Sequence, residues 1–121
     1  PGWNYLLLPF DEDASQLVPE LTPAPGEIVL TKTTDSALTG TNLRLILANM
    51  GIRNVVLTGI FTDQCISSTV RSLADESFNV VLVEDCCAAG TDELHQKELE
   101  ILNMIYCQVL SHQELIEIMG L

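Results

Sequence analysis

The sequence predicts an α/β protein with a doubly wound parallel sheet, a three-layer, Rossmann-like arrangement with helices on both faces. Two observations support this prediction. Short apolar runs alternate with segments of helical periodicity, and one of these runs, residues 79–84, is apolar enough to be covered on both faces. Strands that alternate with helices in this way pair in parallel through right-handed crossovers.

The first half of the chain contains two predicted strands and one helix. Three prolines between positions 19 and 25 mark an irregular lead-in, and residues 28–30 form a short β-branched strand. Apolar residues then recur at helical spacing over residues 43–50, and Gly51 is a natural end for this helix. Residues 55–58 form the next strand.

The second half continues the alternation. Residues 66–74 carry one apolar helical face, and residues 79–84 form the third strand. A longer helix is predicted over residues 94–105 and a short strand over residues 107–110. A serine followed three residues later by a glutamate is a capping box, so the final helix begins at Ser111.

Composition limits the classes of function. The 121 residues, 47% of them hydrophobic, suffice for one domain with a core. The net charge of −12 would repel nucleic acid and anionic lipid, so we expect neither as a partner. No apolar stretch approaches the roughly 20 residues of a membrane span, and the N-terminus lacks the layout of a signal peptide. We therefore expect a cytoplasmic protein.

Two side chains are candidates for chemistry. Cys65 follows a strand and a short polar turn and begins a helix, where free N–H groups favour a thiolate. Lys32 lies at the carboxyl end of the predicted strand 28–30, the edge at which open α/β sheets build their sites. From position alone, Cys65 is also consistent with a small core residue and Lys32 with an ordinary surface lysine, and position alone does not favour chemistry at either residue. The four cysteines match no zinc or disulfide spacing, so we expect reduced thiols.

Separated segments of the chain carry a recognisable pattern, and one of them contains the motif Gly59-Ile-Phe-Thr-Asp-Gln-Cys-Ile66. The segments are residues 19–32, 35–43, 51–66, 68–71 and 83–91. In order and register they resemble the isochorismatase-like cysteine hydrolases. The resemblance favours the amidase branch of the family, and it identifies residues 1–121 as the C-terminal part of a single hydrolase domain.

The resemblance implies a working group of Asp, Lys and Cys, and it places the last two on Lys32 and Cys65. A free thiol with a pKa of about 8.5 is only slightly ionised at neutral pH, so a neighbouring cation would favour the thiolate. The thiolate would attack a carbonyl carbon, and the backbone N–H groups of Gln64 and Cys65 would hold the oxyanion. The family's cis peptide corresponds to Ile60–Phe61.

The same resemblance suggests a substrate pocket bordered by Phe61, Ser36 and Leu38. These three residues are equally consistent with turn and core positions. The catalytic Asp of the family lies on a first strand that has no counterpart in this sequence. With a family sheet order of 3-2-1-4-5-6, the predicted strands resemble strands 3, 4, 5 and 6. We therefore expect residues 28–30 to stand apart from the other strands, and a missing N-terminal segment to be a partner.

The metal-binding residues of the nicotinamidase branch belong to the same missing region, so we assign no metal and no cofactor to this chain. His95 and His112 are expected to cap or pack at helix starts.

The sequence thus predicts a cysteine-dependent hydrolase that cleaves a C–N bond of a small amide, ureide or carbamoyl compound through a thioester. We expect a small-molecule substrate and a homo-oligomer. Two alternatives remain open: a non-catalytic binding or assembly protein of the same fold, and a thiol redox protein that uses Cys65 or the adjacent pair Cys86 and Cys87.

Overall fold

The computed structural model of the chain describes residues 9–121, in which strands and helices alternate along the chain. The strands are β1 (Asn54–Ile60), β2 (Asn79–Ala88) and β3 (Gln108–Leu110). The helices are α1 (Leu43–Asn49), α2 (Ser67–Asp75), α3 (Asp92–Ile105) and α4 (His112–Met119). A π-helical turn, Thr62–Ile66, precedes α2, and two short 3₁₀ turns, Asp13–Ser15 and Pro19–Leu21, lie in the lead-in.

The strands form a parallel sheet in the order β1-β2-β3. This confirms the predicted α/β class and the three strands expected after residue 50. The register of β1 on β2 is regular up to the pair Leu57 and Leu82, then shifts so that Gly59 lies opposite Cys87. Gly59 has φ +129°, a conformation that side chains rarely adopt, and this irregularity bends the end of β1 before the turn that carries Cys65.

The core lies on the sheet face that α2 and α3 cover. Val80 and Leu82 alternate with residues of the opposite face, as expected for a strand, and both are buried. The helices contribute the other half of this core. Its buried members are Leu38, Leu47, Ile66, Val70, Leu73, Val80, Leu82, Leu99 and Leu102. On the opposite face Val56 is 48% exposed.

The helix ends follow the sequence signals. Gly51, after α1, has φ +66°, the left-handed conformation expected of a glycine that ends a helix. The Ser111 side chain accepts a hydrogen bond from the backbone N–H of Glu114, and the Glu114 carboxylate accepts from the backbone N–H of Ser111. The predicted capping box is therefore confirmed. None of the helices within residues 9–121 combines the length and apolar content that crossing a bilayer requires.

The strand predicted at residues 28–30 does not form. Within residues 9–121 the sheet contains β1, β2 and β3, and none of them pairs with this segment. A β-branched run becomes a strand only where a neighbour completes its hydrogen bonds. Ile28 and Val29 are instead 57% and 61% exposed. A cleft of about 670 Å³ lies between the segment and α1. Residues 28–30 do not pair with the described strands, as the family strand order suggested.

A polar cluster holds α2 against α3. The Glu98 carboxylate accepts hydrogen bonds from the Arg71 guanidinium at 2.9 Å and from the Ser67 hydroxyl at 2.5 Å. The Arg71 guanidinium also lies 4.5 Å from the centre of the Tyr106 ring. The Glu98 side chain is only 15% exposed, so water would replace it poorly as an acceptor if the carboxylate were removed.

We expect Glu98→Ala to lower the free energy of unfolding by about 1–3 kcal/mol, because Arg71 and Ser67 lose their shared acceptor. The matched control is Glu93→Ala on the same helix. Glu93 pairs with Lys97, but its side chain is 75% exposed, so its loss should cost less than about 0.5 kcal/mol. Urea unfolding of the intact protein measures both values, and equal costs would contradict a stabilising role for the Glu98 cluster.

Candidate active site

The candidate nucleophile lies on a turn just beyond the carboxyl end of β1. The Ile60–Phe61 peptide bond, at the end of that strand, is cis. The π-helical turn of residues 62–66 follows and leads into α2, so Cys65 lies two residues before the first residue of α2. The Cys65 side chain is half-buried and remains accessible at the surface.

Lys32 lies directly against the sulfur. Its ammonium group is 3.3 Å from Cys65 Sγ and donates a second hydrogen bond, of 2.8 Å, to the Thr34 carbonyl. The lysine is thus held by its own loop while it contacts the thiol. A cation at this distance attracts a thiolate more strongly than a neutral thiol.

Asp35 is the second charged neighbour of the sulfur, and the sequence reasoning missed it. Its Oδ1 is 3.6 Å from Cys65 Sγ. Lys32 and Asp35 do not form an ion pair with each other among the salt bridges of residues 9–121, although both contact the same sulfur. One signal could have found Asp35: it lies three residues after Lys32, in the loop that must approach Cys65.

Hydrogen bonds dock this loop onto α2. The Ala37 backbone N–H donates to Thr69 Oγ1 at 3.0 Å, and the same Thr69 hydroxyl donates to the Cys65 carbonyl at 2.7 Å. One residue earlier in the loop, the Ser36 hydroxyl donates to the Ser72 hydroxyl at 2.8 Å. The loop that carries Lys32 and the turn that carries Cys65 therefore share one anchor, the first two turns of α2.

Two of the three residues predicted to border the pocket are buried. Ser36 is 8% exposed and Leu38 is 1% exposed, and Leu38 belongs to the hydrophobic core. The Ser36 hydroxyl bonds to Ser72 of α2 and Leu38 packs in the core, so both side chains anchor the loop, and their role at a substrate pocket stays a prediction. Phe61 lies just before the π-helical turn of residues 62–66 and is 41% exposed, so a substrate could contact it.

The oxyanion hole stays a prediction, but one of its two predicted donors has a partner within the turn. The Gln64 N–H donates to the Phe61 carbonyl at 3.0 Å, because the turn closes back on the residue at which it begins. Gln64 is therefore not a free donor in this structure. Within residues 9–121 the Cys65 N–H makes no hydrogen bond outside its own helical turn, so it is the remaining candidate from the predicted pair.

The other thiols are poorly suited to nucleophilic chemistry. Burial raises the pKa of Cys107 to about 11, and burial also raises the pKa of Cys87. Both thiols therefore stay protonated near neutral pH. Cys86 is exposed, but no lysine or arginine hydrogen bond to its sulfur is formed within residues 9–121.

The two histidines have structural partners. His112 donates its backbone N–H to Asp85 at 2.9 Å, and its ring lies 2.5 Å from the same carboxylate, which lowers the pKa of Asp85. His95 Nδ1 is 2.8 Å from the hydroxyl of Thr62, a fully buried residue of the π-helical turn that carries Cys65. In the described part of the chain, no group of three or more His, Cys, Asp or Glu side chains could hold a metal ion.

Comparison with known proteins adds a family to this geometry. A family model, the isochorismatase domain, matches residues 2–114. Ureidoacrylate amidohydrolase RutB of Pseudomonas syringae pv. syringae is 39% identical over 99 residues, which cover 81% of this chain and 36% of that protein. The chain thus spans about a third of the length of this curated relative.

Solved structures agree with the match. An isochorismatase-like hydrolase of Alkaliphilus metalliredigens superposes with a TM-score of 0.84 at 32% identity, over 87% of this chain and 57% of that chain. The N-carbamoylsarcosine amidase of Thermoplasma acidophilum superposes with a TM-score of 0.77 at 31% identity, over 84% of this chain and 57% of that chain. The resemblance predicted from the separated motifs is confirmed. Because the family model covers nearly all of the sequence and the fold agrees, the chain belongs to the isochorismatase-domain family.

Proposed function

We propose that this chain carries the nucleophile of a cysteine hydrolase that cleaves a C–N bond of a small ureido, carbamoyl or amide compound. One observation carries the proposal: Lys32 Nζ lies 3.3 Å from Cys65 Sγ, beyond the carboxyl end of a parallel strand. The names of the relatives, a ureidoacrylate amidohydrolase and an N-carbamoylsarcosine amidase, support the substrate class.

The first half of the reaction is acylation. The Cys65 thiolate attacks the carbonyl carbon, the C–S bond forms, and an electron pair moves onto the carbonyl oxygen. The backbone N–H of Cys65 and the positive end of α2 stabilise this oxyanion. The electron pair then returns, the C–N bond breaks, and the nitrogen takes up a proton and departs as ammonia or an amine. Lys32 stabilises the thiolate before the attack.

The second half is deacylation. Water loses a proton as its oxygen attacks the thioester carbon, the C–S bond breaks, and Cys65 is restored. The product of an amide substrate is a carboxylate. The product of a ureide is a carbamate, which decomposes to an amine and carbon dioxide. Because Cys65 and Lys32 are accessible at the surface, both water and substrate can reach the sulfur.

A redox function of the vicinal pair Cys86 and Cys87 has less support. Burial raises the pKa of Cys87, so this thiol would attack a disulfide slowly. A non-catalytic member of the family differs from the proposed hydrolase in one measurable respect, since it would release no ammonia from any amide.

The direct test is ammonia release from ureidoacrylate and N-carbamoylsarcosine by the intact protein. We expect turnover of at least one of them, and we expect Cys65→Ala to abolish it while Cys86→Ala retains it. Cys86 is a suitable control because it is an exposed thiol outside the site. Equal rates for the Cys65→Ala variant and the wild-type protein would reject the proposal. So would the absence of turnover of both substrates by the wild-type protein.

We expect Cys65 to be alkylated first when the protein is treated with substoichiometric iodoacetamide at pH 8. Cys107 should react last, because a thiol with a pKa of about 11 is only about 0.1% ionised at that pH. Its reactivity should rise only as the pH approaches 11. Peptide mass spectrometry gives the order of labelling, and labelling of Cys107 ahead of Cys65 would contradict the assignment of the nucleophile.

Lys32→Met should lower kcat by at least about 100-fold, roughly 2.7 kcal/mol of transition-state stabilisation, because the cation beside the sulfur is lost. The rate of iodoacetamide labelling at Cys65 should fall in parallel. Lys97→Met is the matched control, since Lys97 pairs with the exposed Glu93 on α3, away from Cys65. A loss below tenfold for Lys32→Met would identify Lys32 as a surface lysine without a catalytic role.

A further inference from the structure

The first side chain of the turn that carries Cys65 is a buried hydroxyl. Thr62 is 0% exposed, and its Oγ1 lies 2.8 Å from Nδ1 of His95, near the start of α3. No other hydrogen bond of this hydroxyl is formed within residues 9–121. A buried hydroxyl carries a proton that needs an acceptor, because water does not reach it there. The mechanism above uses neither of these two side chains.

The direction of this hydrogen bond follows from the chemistry of the two groups. If the hydroxyl donates, Nδ1 accepts, and the imidazole is neutral with its proton on Nε2. If Nδ1 carries the proton and donates instead, the proton of the Thr62 hydroxyl is left buried without an acceptor, which is unfavourable. The Thr62 hydroxyl is therefore the donor, and Nδ1 of His95 is the acceptor.

The backbone of Thr62 belongs to the same closed turn as the sulfur. Its carbonyl accepts a hydrogen bond from the N–H of Ser67, the first residue of α2. Cys65 lies three residues after Thr62 within the turn of residues 62–66. A displacement of Thr62 therefore moves the sulfur and changes its distance from the Lys32 ammonium, which is 3.3 Å in this structure.

Helix α3 presents His95 from a fixed position. The Thr91 side chain caps the start of this helix. Glu98 lies three residues after His95, on the same side of α3, and accepts hydrogen bonds from Ser67 and Arg71 of α2. One side of α3 therefore contacts α2 through Glu98 and the turn of residues 62–66 through His95.

We propose that His95 is a positioning residue for the nucleophile: by accepting the Thr62 proton it fixes the start of the turn and holds Cys65 against Lys32. The assignment rests on the proposed hydrolase function and adds to it a residue that acts through Thr62 rather than on the substrate. Thr69 holds the end of the turn from α2 through the Cys65 carbonyl. His95 holds the start of the turn from α3.

The test measures two rates in the intact protein: iodoacetamide labelling of Cys65, and kcat for the ureido substrate that the protein turns over. His95→Phe removes the acceptor and Thr62→Val removes the donor, so each should lower both rates by about tenfold. The double variant should lose no more than either single variant, because both substitutions break the same hydrogen bond. His112→Phe is the matched control and should keep both rates, since His112 pairs with Asp85 outside the turn.

Two amide variants separate the position of the acceptor from a loss of packing. The side-chain oxygen of asparagine can lie where Nδ1 of a histidine lies, whereas the longer glutamine places its oxygen closer to Nε2. His95→Asn should therefore keep both rates within about threefold of the wild-type rates, and His95→Gln should lose as much as His95→Phe. Cys107 reports on the fold, because it packs against the core, and its labelling should stay slow in every variant.

Several outcomes would overturn the assignment of His95. One is a loss below about threefold in Cys65 labelling for His95→Phe, and another is a pair of losses that multiply in the double variant. Equal rates for His95→Asn and His95→Gln also overturn it, since the position of the acceptor would then not matter. Faster labelling of Cys107 in His95→Phe overturns it too, because the whole fold would then have loosened. Absence of turnover of both ureidoacrylate and N-carbamoylsarcosine by the wild-type protein rejects only the hydrolase function, since the labelling rates still decide the role of His95.

Discussion

The site depends on one hydroxyl group, that of Thr69. It accepts the Ala37 N–H of the loop and donates to the Cys65 carbonyl of the turn. Lys32 and Asp35 lie more than 30 residues before Thr69 in the sequence, yet this side chain and the neighbouring Ser72 fix the distance between their loop and the sulfur. Without these anchors the loop would be held less firmly against the sulfur, because the exposed contacts of Lys32 and Asp35 with Cys65 are weak by themselves.

The parallel sheet determines where this anchor can act. The right-handed crossover from β1 to β2 places α2 on the face occupied by Val80 and Leu82, and it places the start of α2 at the carboxyl edge of the sheet. The register shifts between Leu57 and Gly59, just before the turn that carries Cys65. The hydrogen bond between Arg71 and Glu98 joins α2 to α3. The same helix, α2, therefore packs in the core and anchors the loop of the candidate site.

Sequence reasoning predicted the elements with long periodic patterns and missed those set by a distant partner. Residues 79–84 and the capping box at Ser111 carry local signals, so strand and helix follow directly. The run at residues 28–30 has a strand composition, but strand formation requires a neighbour that the pattern does not report. Asp35 has one signal, its place three residues after Lys32, but its contact with Cys65 spans 30 residues and no local pattern reports it. The Gln64 N–H was predicted to be free for an oxyanion. It donates instead to the Phe61 carbonyl, because the backbone of the turn closes onto that residue and the residue types do not report this closure.

In the loop that carries Lys32 and Asp35, buried residues hold the backbone while exposed residues contact the sulfur. Fixing a surface loop costs about 1–2 kcal/mol of backbone entropy per residue, and exposed charges contribute little against that cost. Leu38 is 1% exposed, and its burial contributes about 1.5–3 kcal/mol toward holding the loop. Ser36 adds a buried hydrogen bond. These two side chains thus hold the backbone from which Asp35 and Lys32 extend, so the residues that face away from the sulfur determine the geometry of those that face it.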